Sequence, residues 1–360
     1  MKNYPISNML FNYACKERKP INGTFELTSN CNFNCKMCYV HSCKKKSSDA
    51  PPEDWKRVID EACDAGLIYA LITGGEPLTH RNFTDIYSKI YKKGIVSVLN
   101  TNGYLLDDTY ISFLKKAPPS RINITLYGTD DETYRNLCGV SGGFSQVEKN
   151  IKKLKENGFN LNLNLTFVKS NIHAAEDMVR FAELNNLHIR PSTYIFPSSE
   201  NETNERLSAE DAAKAEIKLY SLTHTQEELK KWAENVFMKY EAAKKEKPRD
   251  SFNGTTCRAG KSSYWIHSDG QLSFCGIKSA GNELNVFKDG FIPAWEQAVK
   301  AADKVRNPDA CLSCNYRFIC RRCYAMLASE NVLNENIDGS YTCLYYKRYT
   351  EELVNIYFEG

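Results

Sequence analysis

From residue 23 to residue 195, short apolar runs alternate with stretches whose apolar positions recur at helical spacing. The runs at 23–28, 67–72, 96–103, 122–128, 161–168 and 189–195 read as strands, each short, largely apolar and followed by turn-forming residues. Helices are expected between them. Pro51 and Pro52 open one in which Trp55, Ile59 and Cys63 recur at i+4 and which Gly66 ends. Others are expected at 83–93, 109–116, 144–157 and about 173–185. Buried strands alternating with helices predict a parallel sheet, an α/β barrel or partial barrel whose ligand groups gather at the strand C-termini.

Beyond residue 198 the pattern changes. Asn, Glu and Ser crowd 198–206, and Ser208-Ala209-Glu210-Asp211 and Thr225-Gln226-Glu227-Glu228 each resemble a capping box. The second expected helix carries Leu229, Trp232, Val236, Phe237 and Tyr240 at helical spacing, a packing stripe. Residues 198–250 are therefore expected as a helical bridge, closed by Lys247-Pro248-Arg249-Asp250. From 251 to 345 the segments are short, Gly-punctuated and rich in Cys. There Tyr264-Trp265-Ile266-His267 and Leu272-Ser273-Phe274-Cys275 flank Ser268-Asp269-Gly270-Gln271, which reads as a β-hairpin with an Asp-Gly turn. Residues 1–22 form an N-terminal segment and 346–360 a C-terminal tail in this reading.

With 360 residues, 42% of them hydrophobic, the chain can build two or three cores. A net charge of +3, with Lys interleaved among Glu and Asp, calls for neither nucleic acid nor a membrane surface. No apolar run is long enough to span a bilayer, and Met9-Leu10-Phe11 is too short for a signal-peptide core, so a cytoplasmic protein is expected. Fourteen Cys are many for a reducing compartment and are better explained by metal than by cross-links. They form an early group (Cys31, Cys35, Cys38) and a late one (Cys257, Cys275, Cys311, Cys314, Cys320, Cys323, Cys343), with Cys15, Cys43, Cys63 and Cys138 apart.

The early group is a CxxxCxxC run directly behind the first strand. Three thiolates on one loop can hold three irons of a 4Fe-4S cluster and leave the fourth open. Disulfides and half of a zinc site are the bland alternatives, and this spacing, without a secretory signal, fits neither well. The run resembles that of the radical S-adenosylmethionine (SAM) enzymes, in which the open iron chelates the amino and carboxylate groups of SAM. Met37 stands where that family usually has an aromatic, at a packing position. The same resemblance extends to Gly74-Gly75-Glu76-Pro77, whose glycines allow close backbone approach to a ligand and whose Glu76 carboxylate meets the SAM ammonium. It also makes Asn102 and Thr125 partners of the SAM ribose or carboxylate, and Arg135 an ion-pair partner of that carboxylate.

The late group resembles the SPASM extension of radical SAM enzymes, which binds two auxiliary 4Fe-4S clusters. Between Cys320 and Cys323 this chain has two residues where the pattern has three. The resemblance assigns Cys311, Cys314, Cys320 and Cys343 to one cluster and Cys257, Cys275 and Cys323 to the other. One iron is then left without a local thiolate, since Ser263 stands where some members carry a further Cys. A zinc ribbon is the competing reading of these CxxC pairs. The implied architecture is a partial (β/α)6 barrel at 23–197 followed by a small Cys-rich α+β auxiliary-cluster domain at 251–345.

The resemblance implies three 4Fe-4S clusters, reductive cleavage of S-adenosyl-L-methionine, and hydrogen-atom abstraction from a substrate by the deoxyadenosyl radical. The substrate class it favours is a ribosomally made peptide, cross-linked or oxidised. A small-molecule maturase or dehydrogenase acting on a tetrapyrrole, sugar or cyclitol is the rival. Sulfatase maturation is less favoured, because those members place an Asp after the Cys matching Cys275 and here Gly276 follows. A non-catalytic electron-transfer or scaffold protein is the reading from another class. A flavodoxin- or ferredoxin-type electron donor is implied. With 22 residues before the first strand, a peptide leader calls for a separate leader-binding protein or another surface.

Overall fold

The computed structural model describes residues 6–38, 49–197, 205–247, 255–277, 284–330 and 340–359. After helix α1 (Ile6–Lys16), strands β1 (Asn22–Glu26), β2 (Tyr69–Thr73), β3 (Val96–Thr101), β4 (Arg121–Leu126), β5 (Leu161–Thr166) and β6 (His188–Ser192) lie side by side in chain order. Every neighbouring pair among them is parallel. Parallel pairing needs a crossover, supplied by α2 (Pro52–Asp64), α3 (Phe83–Lys92), α4 (Asp108–Lys116), α5 (Asp131–Cys138) with α6 (Gly143–Glu156), and α7 (Ala175–Leu184). The six-stranded partial barrel expected from the alternation is thus present. Its short α5, capped by Asp130 and ended by left-handed Gly139, and its N-terminal α1 were not among the expected helices.

Period-two alternation gives the strands two unlike faces. Phe25, Ile72, Leu99, Ile124, Leu126 and Leu163 are wholly buried and pack under the helices in one core with Trp55, Ile59 and Ile86. The other, concave face is polar. Asn100, Asn123 and Asn162 stand in register across β3, β4 and β5. Asn123 Nδ2 donates to Asn100 Oδ1 at 2.7 Å, and Arg121 Nε donates to Asn123 Oδ1 at 3.0 Å. A concave surface of this chemistry is built for polar contents. At the opposite end from the strand C-termini, Phe11 of α1 stacks on Tyr69 at 5.4 Å.

Two expectations are corrected. The hairpin, β7 (Ser263–Ile266) and β8 (Leu272–Ser273), is not confined to a separate Cys-rich unit: β7 pairs parallel with β1, giving an eight-stranded sheet of order β6-β5-β4-β3-β2-β1-β7-β8. The outer face of this extension is covered by α11 (Phe291–Asp303), which follows the short α10 (Val286–Asp289). Phe291 and Trp295 of α11 meet the Tyr264 ring at 5.0 and 6.0 Å. Second, the expected tail is a helix. After α12 (Asp309–Ser313) and α13 (Tyr324–Ser329), α14 runs Tyr341–Glu359 and packs on the two bridge helices, α8 (Ala209–Thr223) and α9 (Gln226–Lys245). Ala213, Ile217, Leu229, Val236, Tyr349 and Leu353 form their core. Ser208 caps α8, and Thr225 with Glu228 completes a capping box on α9. The crowded 198–204 and the closing 248–250 lie outside the described residues.

Leu353 is fully buried. Leu353→Ala is therefore expected to cost about 2–5 kcal/mol, the usual range for emptying a packed Leu site. Urea unfolding followed by circular dichroism measures this, and a loss below about 0.5 kcal/mol would show that α14 adds nothing to the packing of α8 and α9.

Candidate active site and cysteine-lined cavities

The Cys31–Cys38 loop leaves the C-terminal end of β1 and is held from three sides. Phe33, 2% exposed, packs edge-on against Tyr104 and Tyr134, while Met37 is buried as its packing role requires. The C-terminus of α5 receives the loop backbone: Asn34 N donates to Cys138 O at 2.9 Å and Lys36 N to Leu137 O at 3.0 Å. The third side is the turn after β2. Gly75 N donates to Thr28 O and Glu76 N to Asn30 O, both at 2.8 Å. A Cβ on Gly75 would lie 2.3 Å from Asn30 O, and one on Gly74 2.8 Å from Thr28 O. The close approach these glycines permit is therefore to the chain entering the cysteine loop, where a ligand contact was expected.

Glu76 is completely buried, and its carboxylate accepts from Leu78 N (3.1 Å), Thr101 Oγ1 (2.9 Å) and Asn102 N (2.7 Å). Burial pushes its pKa up to about 7, against the pull of those three donors. It braces β2 against β3 beside the cysteine loop. Pro77 begins the buried turn that follows. Asn102, 7% exposed, donates through Nδ2 to Asn32 Oδ1 at 2.8 Å, with Cys31 Sγ 3.9 Å away. Thr125 is half-buried on the concave face in register with Asn164. Arg135 is exposed on α5. The structure thus brings Gly74, Gly75, Glu76, Pro77 and Asn102 to the cysteine loop, leaving Thr125 on the barrel lining and Arg135 on the surface.

Around the thiols the electrostatics are uneven. Burial raises Cys31 to about 12. Cys35 is lowered, chiefly because the Cys138 thiol donates to it, with the Tyr127 hydroxyl as a further donor. Cys138, apart in sequence, is thereby a neighbour of the loop. The amide nitrogen of Asn32 is buried without a partner. Three thiols beside an orphaned donor fit an anionic metal-sulfur group.

The late cysteines surround two cavities. One, of about 520 Å³, is lined by Cys257, Cys275, Cys320 and Cys323; the other, of about 600 Å³, by Cys311, Cys314, Cys320 and Cys343. The two sets expected from the resemblance are each brought together, with Cys320 on both walls. Among the described residues no three His, Cys, Asp or Glu converge on a point where a single ion would sit. Ser263 lines neither cavity: it accepts from Asn22 Nδ2 at 3.2 Å within the sheet. Cys43 lies outside the described residues. Arg317, 2% exposed with its Nε unpartnered, stands in the walls of both, so the chemistry of each cavity suits an anionic occupant.

Residues 25–182 match the model of the Radical SAM superfamily. This stretch is a radical SAM domain. The AdoMet-dependent heme synthase of Methanosarcina barkeri is 25% identical over 328 residues, 84% of this chain and 90% of that protein. The antilisterial bacteriocin subtilosin biosynthesis protein AlbA of Bacillus subtilis is 30% identical over 162 residues, 45% of this chain and 36% of its own length. In structure, SuiB of Streptococcus suis, bound to its precursor peptide SuiA, superposes with a TM-score of 0.70 at 18% identity, covering 94% of this chain and 81% of SuiB. At that identity the likeness is one of fold.

One further network, which no motif announced, joins the radical SAM domain to the hairpin that follows. Glu26, at the end of β1, accepts from Trp265 Nε1 and pairs with His267 Nδ1, both at 3.2 Å; His267 Nε2 meets Ser273 Oγ at 2.9 Å, and Ser273 Oγ donates to Cys275 O at 3.0 Å. A carboxylate, an imidazole and a hydroxyl are thereby joined in one chain next to Cys275 of the late cavity. Glu26 inside an otherwise apolar strand was the available signal; the partner strand was not.

The raised Glu76 pKa has a consequence for stability. Between its ordinary 4.5 and about 7 the folded chain keeps a proton there that the unfolded chain has lost, so stability falls as pH rises through that window. In Glu76→Gln this component disappears. Urea unfolding of the apoprotein at pH 5 and pH 7 should show a pH dependence shallower than wild type by up to about 1.4 kcal/mol per pH unit; equal dependence would place the titration elsewhere.

Proposed function

We propose that this chain is a radical SAM enzyme that holds a SAM-binding 4Fe-4S cluster on Cys31, Cys35 and Cys38 and two auxiliary clusters in the late cavities, and that it cross-links or oxidises a ribosomally made peptide. The observation that carries the reading is the arrangement of thiols: three at the mouth of a polar-lined partial barrel, seven around two further cavities. When bound, the first cluster supplies reductive cleavage of SAM. The chain's own residues position and protect: Glu76 and the two glycines fix the loop, Asn102 and Thr125 offer hydrogen bonds toward SAM, and Glu26 orients His267. Arg135, on the exposed face of α5, is the remaining expected SAM contact.

A peptide substrate is supported by AlbA and by SuiB with SuiA, and by a cavity of about 780 Å³ at the open β6 edge, where Tyr220, Trp232, Tyr345, Glu216 and Cys323 meet. Aromatic walls with a few polar groups suit peptide side chains. A second reading, maturation of a tetrapyrrole, is favoured by the length of the match to the heme synthase. Incubating the enzyme with peptides encoded beside its gene and with iron tetrapyrroles, each followed by mass spectrometry, separates them: a product only from the tetrapyrrole would replace the peptide reading.

Anaerobically reconstituted and reduced protein is expected to convert SAM to deoxyadenosine and methionine, and the triple change of Cys31, Cys35 and Cys38 to Ala to abolish this. Equal turnover by both proteins would refute the assignment. The same triple variant should retain about eight irons, two cubanes' worth, and a brown colour. Stoichiometric zinc without iron would return the late cysteines to a ribbon.

A further inference from the structure

Three residues line both late cavities: Arg317, Cys320 and Arg322. They are the wall between the two. Both arginines are buried, Arg317 at 2% and Arg322 at 9% exposure. Arg317 donates through Nη1 to Cys314 O at 2.9 Å and through Nη2 to Glu246 O at 2.6 Å, and its guanidinium lies 4.8 Å from the Phe318 ring centroid. Those partners are dipoles and a ring, none of them an anion. Arg322 is faced by Cys320 and Cys311 and by Arg317 itself. A buried guanidinium with partners like those of Arg317 calls for negative charge in contact, and among the described residues lining the two cavities, none of them Asp or Glu, the cysteine thiols and what they hold can supply it.

The backbone points the same way. Cys320 and Cys323 are separated by two residues, and the chain makes this turn with Arg322 at φ 45°, in the left-handed region that favours Gly. Arg322 N donates to Cys320 Sγ at 3.3 Å. The turn sends Cys323 to the first cavity alone while Cys320 and the Arg322 side chain stay in the wall. A Gly would make the turn without strain and would leave no cation in the wall.

We propose that Arg317 and Arg322 are a cationic partition between the two late cysteine sets, one that would raise the reduction potential of an iron-sulfur cluster held on either side, with the Cys320 thiol in the shared wall. This rests on reading the seven late cysteines as cluster ligands. A thiolate-ligated cluster is anionic and becomes more so on reduction, so a fixed buried cation favours its reduced form. Because the wall is shared, one substitution acts on two centres at once, which a residue serving a single cavity cannot do.

The test uses the Cys31, Cys35 and Cys38 to Ala triple variant, which keeps only the late sites, reconstituted anaerobically and titrated potentiometrically with detection by electron paramagnetic resonance. Arg317→Gln and Arg322→Gln should each lower both midpoint potentials, by at least a tenfold change in the reduction equilibrium, about 59 mV for one electron. Arg317→Lys and Arg322→Lys should stay at the parent values. Unchanged potentials in the glutamine variants, or a shift confined to one cluster, overturn the partition. Should the glutamine variants lose iron, the lysine variants decide: parent potentials in both support the charge, lowered potentials refute it. A parent that takes up no iron overturns the reading of the late cysteines, and the partition with it.

Discussion

One buried carboxylate holds the catalytic end of this molecule together. Glu76 ties the turn after β2 to the end of β3 through Thr101 and Asn102, and its own backbone joins the chain entering the cysteine loop through Asn30. Glu76 is fully buried, so losing this acceptor would strand buried N–H groups. Gly75 sets the tolerance: Asn30 O occupies the space a Cβ would need. The positions of Cys31 and of the Asn102 side chain follow from this junction.

Around that junction the barrel separates two environments. Its outer face buries an apolar core beneath the helices; its inner face is polar, with Asn and Arg side chains bonded to one another. The Glu26, His267 and Ser273 chain crosses from this inner face to the Cys275 carbonyl. This hydrogen-bonded chain therefore joins the barrel to the approach to the late cavity, because β7 pairs directly with β1.

Much of this was legible beforehand. Strand and helix alternation through residue 195 follows from apolar spacing, and the two late cysteine sets follow from spacing read through family resemblance. What remained hidden depends on which surfaces meet. The hairpin at 264–275 announces its turn through Asp269-Gly270, but nothing in Ser263–Ile266 names β1 as its neighbour. Glu76 has the composition of a ligand group, and only its burial shows that it also serves three donors within the fold. Helix α14 has an apolar stripe made largely of Tyr, which reads as surface until α8 and α9 are seen beneath it. Arg322 looks like an ordinary basic residue until the two cavities are placed on either side of it.

The parallel pairing of β1 with β7 also bears on how the protein is made. Glu26 and its partner His267 are 241 residues apart, so on the ribosome β1 is finished long before its second neighbour exists. At synthesis rates of about 5–20 residues per second, roughly 10–50 seconds pass in which a nascent barrel presents an unpaired strand edge. Such edges recruit other strands. Retention of the nascent chain by a holding chaperone would protect that edge until residue 266 emerges, and expression at a low level, which keeps such edges dilute, is the condition this topology favours.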